Sequence, residues 1–205
     1  VKNGDILKYE ELADPKWKGK ICIRSGLNAY NLALTSAIIH HHGEEYALDW
    51  LRGLKQNLAR KPQGNDRAQV KAIWAGECDL SIGNTYYYMG KMLKDPEQAD
   101  WANSVSIVFP TFEDGGTHVN VSGIGMAKFS PNKENALKLM EFLSSGEAQE
   151  IYATANFEYP IAPGTQVDDL VKSWGNFDAD KVNLMTLAKL RKQALKLTEI
   201  VDFDG

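Results

Sequence analysis

Two short apolar runs constrain this chain more than any other feature: GKICIRSG, ending near Arg24, and CDLSIG, ending at Gly83, with a long stretch of helical pattern between them. Each places aliphatic residues between small or turn-forming ones, the signature of a buried strand. The intervening stretch has three helical periods. Leu34, Ala37, Ile38 and His41 fall at i, i+3, i+4 and i+7, predicting a helix over about 30–42 that Gly43 ends. Leu48, Leu51, Leu54 and Leu58 predict a second, closed by RKPQGND. Asn65 or Asp66 can cap a third that carries Val70, Ile73 and Trp74 and stops at Gly76. Two strands joined by helices rather than a tight turn read as a parallel crossover.

The second half changes character. SVSIVFP and THVNVSGIGMAK read as strands, and Ser130 with Pro131 signals the start of a helix carrying Leu137, Met140 and Leu143. GEAQEIYAT reads as a short helix. Leu187, Leu190, Ala194, Leu197 and Val201 form a helical stripe too short for a coiled coil, so it is expected to pack on its own domain. The coarse class is α/β.

Composition excludes several functions. With 205 residues, 43% of them hydrophobic and 24% charged, the chain is long enough for one large or two small folded domains. A net charge of -4, with one short cationic cluster at KLRKQALK, argues against a nucleic-acid partner. No apolar run reaches the ~18 residues of a membrane span. The opening VKNGDILKYEELADPKWKGK has neither an initiator Met nor the apolar centre of a signal peptide, so any export signal is expected to be removed or to lie outside this chain.

Both strand ends lead to tyrosine: ICIRSGLNAY to Tyr30, and CDLSIGNTYYY to Tyr86, Tyr87 and Tyr88. In open α/β sheets ligands bind beyond the carboxyl ends of strands. If the strands are parallel neighbours, Tyr30 and the Tyr86/Tyr87 pair meet over one crevice. A phenolate is a hard anionic donor suited to a trivalent cation such as ferric iron. Two cysteines without a CxxC, and the absence of HExxH, argue against softer metals. The same aromatics also fit a packed core, or a stacking wall for a sugar or other organic solute, and spacing alone leaves these readings open. No Ser/His/Asp, Cys/His or paired-carboxylate pattern supports an enzyme.

Four ordered blocks, YEELADPKWKGKICIRSG, GNDRAQVKAIWAGECDLSIGNTYYY, THVNVSGIGMAK and YPIAPG, together resemble the periplasmic ferric-ion-binding proteins of bacterial iron ABC transporters. The resemblance implies a periplasmic binding protein type II-like lobe, with a mixed, mostly parallel sheet flanked by helices, plus part of a second lobe. It implies Fe(III) bound by Tyr86 and Tyr87, with Tyr30 added in one branch, and no catalytic turnover. A synergistic anion such as carbonate and delivery to an inner-membrane ABC permease are implied as well. Arg24 is expected to neutralise phenolate charge, hold that anion, or serve the structure alone, and Tyr88 to pack beside the site. The alternative is a binding protein for an organic solute or oxyanion, with the tyrosines as a stacking or hydrogen-bonding wall.

The resemblance also implies a division of the chain: 1–108 as a C-terminal lobe with the tyrosines, 109–165 as hinge-crossing strands and a returning part of the N-terminal lobe, and 166–205 as a helical segment packing on the lobes. The N-terminal stretch of the family, which often adds a ligand from across the cleft, is not represented, so exposed strand edges and self-association are expected. His40, His41 and His42 point about 100° apart on a helix and suit its C-terminal dipole better than a metal. His118 is expected beside a hinge, and Asp66, Glu77 and Asp79 as a cap and solvated charges. In an oxidising periplasm Cys22 and Cys78, at equal offsets from Tyr30 and Tyr86, are expected either as one disulfide or as two buried thiols.

Overall fold

The computed structural model describes residues 6–86 and 92–205. Strands β1 (Ile21–Cys22) and β2 (Leu80–Ser81) pair in parallel, with Ile21 opposite Leu80 and Cys22 opposite Ser81. Leu58 bridges the opposite edge of Ile21. Between the strands run α1 (Ala29–His42), α2 (Glu44–Gln56) and α3 (Asp66–Trp74), close to where the helical periods place them, except that Leu58 lies beyond α2. Asn28 caps α1 by accepting the Tyr30 amide at 3.0 Å, and Asn65, not Asp66, caps α3 by accepting the Ala68 amide at 3.1 Å. Gly43 adopts φ 87°, a conformation glycine reaches without a Cβ clash, so α2 follows α1 with no intervening loop.

Cys22 and Cys78 form a disulfide with Cα atoms 5.9 Å apart. Equal offsets from tyrosine suggest equivalent positions on the two strands, but the register sets Cys22 against Ser81. The bridge therefore ties β1 to the turn entering β2.

The main core lies between these elements and α8 (Leu184–Ile200). Ile21, Ile23, Leu34, Ala37, Ile38 and Leu54 are joined there by Leu187, Ala194, Leu197 and Phe203. The α8 stripe therefore packs on α1 and α2 within the same core rather than forming a coiled coil. Close approach is built in at Gly26, where a Cβ would meet the Phe203 ring at 2.6 Å. Behind α2, the buried Asn57 amide donates to the carbonyls of Leu12 and Asp14 at 2.9 and 2.8 Å, satisfying the irregular entry to β1.

The second half differs from its sequence pattern. SVSIVFP and THVNVSGIGMAK form no ladder among the described residues; Thr111 makes an isolated bridge to Lys8 and Thr117 one to Ala179. A strand needs a paired neighbour as well as β-branched residues. Val121 (62% exposed) and Phe129 (86%) stay uncovered. Ser130 and Pro131 precede α5 (Lys133–Leu143), but Asn132 is its N-cap, and α5 buries none of its residues. Ser145 caps α6 (Gly146–Asn156), which ends at Phe157 in the left-handed region at φ 59°. That ring is buried with Val171 and Trp174, at α7 (Asp169–Ser173). A further short helix, α4 (Ala99–Asn103), packs on α3 through Val70, Met92 and Ala102. The α/β class holds, with a narrower sheet than the sequence suggests. Among the described residues no helix is long and apolar enough to cross a membrane.

Candidate functional site

Because β1 and β2 are parallel neighbours, the chain leaves both at the same end of the sheet, and the two following segments meet there. Tyr30, in the first turn of α1, and Tyr86, beyond β2, bring their hydroxyls to 3.4 Å. Both rings are half-buried. The Tyr86 ring packs against the Phe157, Val171 and Trp174 cluster. Tyr87 and Tyr88 lie outside the described residues. The phenols border an open cleft of about 1200 Å³ that Arg24, Asp66, Asn84, His118 and Tyr159 also line.

The donor set suits a small hard cation. Metal–oxygen bonds of roughly 2 Å let one ion reach two oxygens at this separation. Among the described residues no group of three His, Cys, Asp or Glu side chains is placed to hold a metal. The oxygens that the described geometry brings together at the strand ends are those of two phenols.

Asp66 departs from its sequence reading. Asp66 is 2% exposed, neither the cap of α3 nor a solvated charge, and its carboxylate pairs with the Arg24 guanidinium. Arg24 also lies over the Tyr30 ring, 5.6 Å from its centroid. The guanidinium thus touches a ligand candidate and a buried carboxylate at once. Glu77 and Asp79 pair at the surface with Arg60 and Lys20, each at 3.3 Å.

The histidines take separate partners. His41 lies between Asp114 (2.7 Å) and Asp180 (2.8 Å), its ring stacked on Phe112. His42 pairs with Glu10 at 2.5 Å, and His40 is exposed. These carboxylates, distant in sequence, engage the end of α1 directly, a role the helix dipole does not suggest. His118 sits beside Phe112, with neither ring nitrogen partnered in the described structure, and burial pushes its pKa down to about 4. Its backbone amide donates to Tyr9 Oη at 3.2 Å. Burial raises the Tyr9 and Tyr159 phenols above their ordinary range.

Sequence reasoning missed Asp66, Asn84, Asn120 and Tyr159 as cleft residues. The Asn84 side-chain carbonyl accepts from the Asn120 amide at 3.2 Å, while Asn84 Nδ2 and Tyr159 Oη are buried with no hydrogen-bond partner among the described residues. One signal was available for Asp66. With Asn65 already supplying the cap, an adjacent Asp at the first helical position is free for another partner.

The model of the bacterial extracellular solute-binding proteins matches residues 7–179. Iron uptake protein A1 of Synechocystis is 46% identical over 199 residues, which are 96% of this chain and 55% of that protein. Among solved structures, apo ferric ion-binding protein A of Pasteurella haemolytica superposes with a TM-score of 0.94 at 51% identity, over 100% of this chain and 63% of the other. A Trichodesmium protein in complex with iron and citrate ligands superposes at 0.93 with 41% identity, over 99% and 65%. The chain thus spans between about half and two thirds of the length of these proteins. With most of its residues matched and its fold shared end to end, this chain belongs to the bacterial extracellular solute-binding protein family.

Proposed function

We propose that this chain is the tyrosine-bearing part of a periplasmic protein that captures Fe(III) and delivers it to an inner-membrane ABC permease, without catalytic turnover. The observation that carries the reading is the 3.4 Å approach of the Tyr30 and Tyr86 hydroxyls at the mouth of an open cleft. Similarity to an iron uptake protein and to a protein solved with iron and citrate supports ferric cargo over an organic solute. Tyr87, next in sequence to Tyr86, is the third proposed ligand, and Tyr88 a proposed supporting residue.

In this reading each phenol loses its proton on meeting the cation, so binding releases protons and acid favours release. The cleft leaves further coordination positions to water, a carboxylate or carbonate anion, or groups from a facing lobe. Residues 1–108 with the final helical segment form the lobe that holds the tyrosines, and 109–165 cross toward the second lobe. Closure of two such lobes would exclude water around the ion. The uncovered apolar side chains between Val121 and Ile161 support self-association of this chain.

The visible spectrum after ferric loading tests the cargo. Tyrosinate bound to Fe(III) gives a charge-transfer band that an organic-solute complex lacks. A colourless protein that binds a citrate-like acid without iron would replace this reading with that of an organic-anion carrier.

A further inference from the structure

We infer that Asp66 is a positioning residue of this site, a buried carboxylate that holds Arg24 against Tyr30 and ties down the loop carrying Tyr86. The inference deepens the ferric reading and rests on it.

The geometry converges from three elements. Asp66 begins α3, yet Asn65 performs the capping, so the Asp66 carboxylate is available to face the cleft. One of its oxygens takes the Arg24 guanidinium; the other lies 3.4 Å from the Asn84 backbone amide, two residues before Tyr86. Arg24 is fixed from a second side, because the buried Asn31 amide of α1 donates to the carbonyls of Arg24 and Ser25 at 3.0 and 2.9 Å. Its guanidinium contacts both the Asp66 carboxylate and the face of the Tyr30 ring. Asn84 is held in turn by Asn120 across the cleft. A single carboxylate therefore links the segment after β1, the segment after β2 and the start of α3.

A buried ion pair is a poor source of stability, since desolvation offsets much of its attraction. Its effect here is on position and charge. Without the Asp66 charge, Arg24 would add an uncompensated cation beside phenols that receive a trivalent ion, and its long side chain could swing into the cleft. Without the link to Asn84, the Tyr86 hydroxyl would no longer be held at a fixed distance from Tyr30. Both changes weaken iron binding, and the second alters the electronic surroundings of the iron.

The test compares the wild-type chain with Asp66→Asn and with the charge-balanced pair Arg24→Gln/Asp66→Asn. Three quantities are read: the position of the ferric charge-transfer band, the rate of iron loss to a competing chelator, and hydrogen exchange at Asn84 in iron-free protein. Loss of a group that orients metal ligands costs roughly 10–100-fold in affinity. Asp66→Asn should therefore lose iron at least about tenfold faster, with a shifted band and faster exchange at Asn84, while circular dichroism stays unchanged. The paired variant should show the band shift and the exchange effect too. Wild-type values for all three quantities in both variants would overturn the inference. So would failure of both variants to fold, which would make the pair a structural element of the lobe. A wild-type protein with no band would overturn the ferric reading alone, because exchange at Asn84 still reports the link between the loops.

Discussion

The hydroxyls of Tyr30 and Tyr86 approach to 3.4 Å across a sequence separation of 56 residues. The parallel register of Ile21 with Leu80 makes the approach possible, since it sends both strand ends to the same edge of the lobe.

Removing either hydroxyl should remove a ligand while sparing the fold, because both rings stay half-buried and only a polar atom is lost. Tyr86→Phe and Tyr30→Phe should each weaken the charge-transfer band and speed iron loss to a chelator, and the double variant should lose the band. Thermal melts should move by no more than about 1 kcal/mol of stability, as expected for one modest hydrogen bond. A full-strength band in the double variant would remove both tyrosines from the coordination sphere.

The Cys22–Cys78 bridge closes a loop of 56 residues. In the chain-entropy model that loop is worth about 4 kcal/mol. Unreduced, denatured protein should therefore titrate no free thiol, and Cys22→Ala/Cys78→Ala should lower the denaturant midpoint by a matching amount. A midpoint unchanged by the substitutions would show that the packing of β1 on β2 holds without the covalent link.

His118 makes stability depend on acid. Burial lowers its folded pKa to about 4, below the ordinary histidine value of 6.5. Above 6.5 the ring is neutral whether the chain is folded or not, so the group adds no pH slope. As pH falls from 6.5 toward 4 the unfolded chain takes up a proton that the folded one refuses, and stability declines by roughly 3 kcal/mol. Replacement by Phe, which can pack beside Phe112, should flatten this part of the stability–pH curve. An identical slope in His118→Phe would assign the dependence to other groups.

Phe129 (86% exposed) and Ile161 (77%) are the most exposed large apolar side chains in the described structure. Light scattering should give a concentration-dependent mass above 22.8 kDa, falling to the monomer value in Phe129→Asp/Ile161→Asp. A strictly monomeric wild-type chain at high concentration would reject self-association.

The sequence by itself determined the local elements and their connection. Helical spacing placed α1, α2, α3 and α8, Gly43 marked a boundary, and the strand–helices–strand order pointed to parallel pairing, because helices and their ends follow from short-range sterics and hydrophobic period. Once β1 and β2 pair side by side, Tyr30 and Tyr86 point into one crevice, since the direction of two neighbouring strands fixes where their ends point. Partner choice was decided only by tertiary structure. Asp66 reads locally as a helix-start charge, and burial against Arg24 appears only when α3 folds onto β1. His41 reads as a helix-end cation until Asp114 and Asp180 arrive from remote segments. THVNVSGIGMAK has the composition of a strand, yet a strand exists only through hydrogen bonds to a neighbour, and the pattern along one segment cannot say whether that neighbour is there.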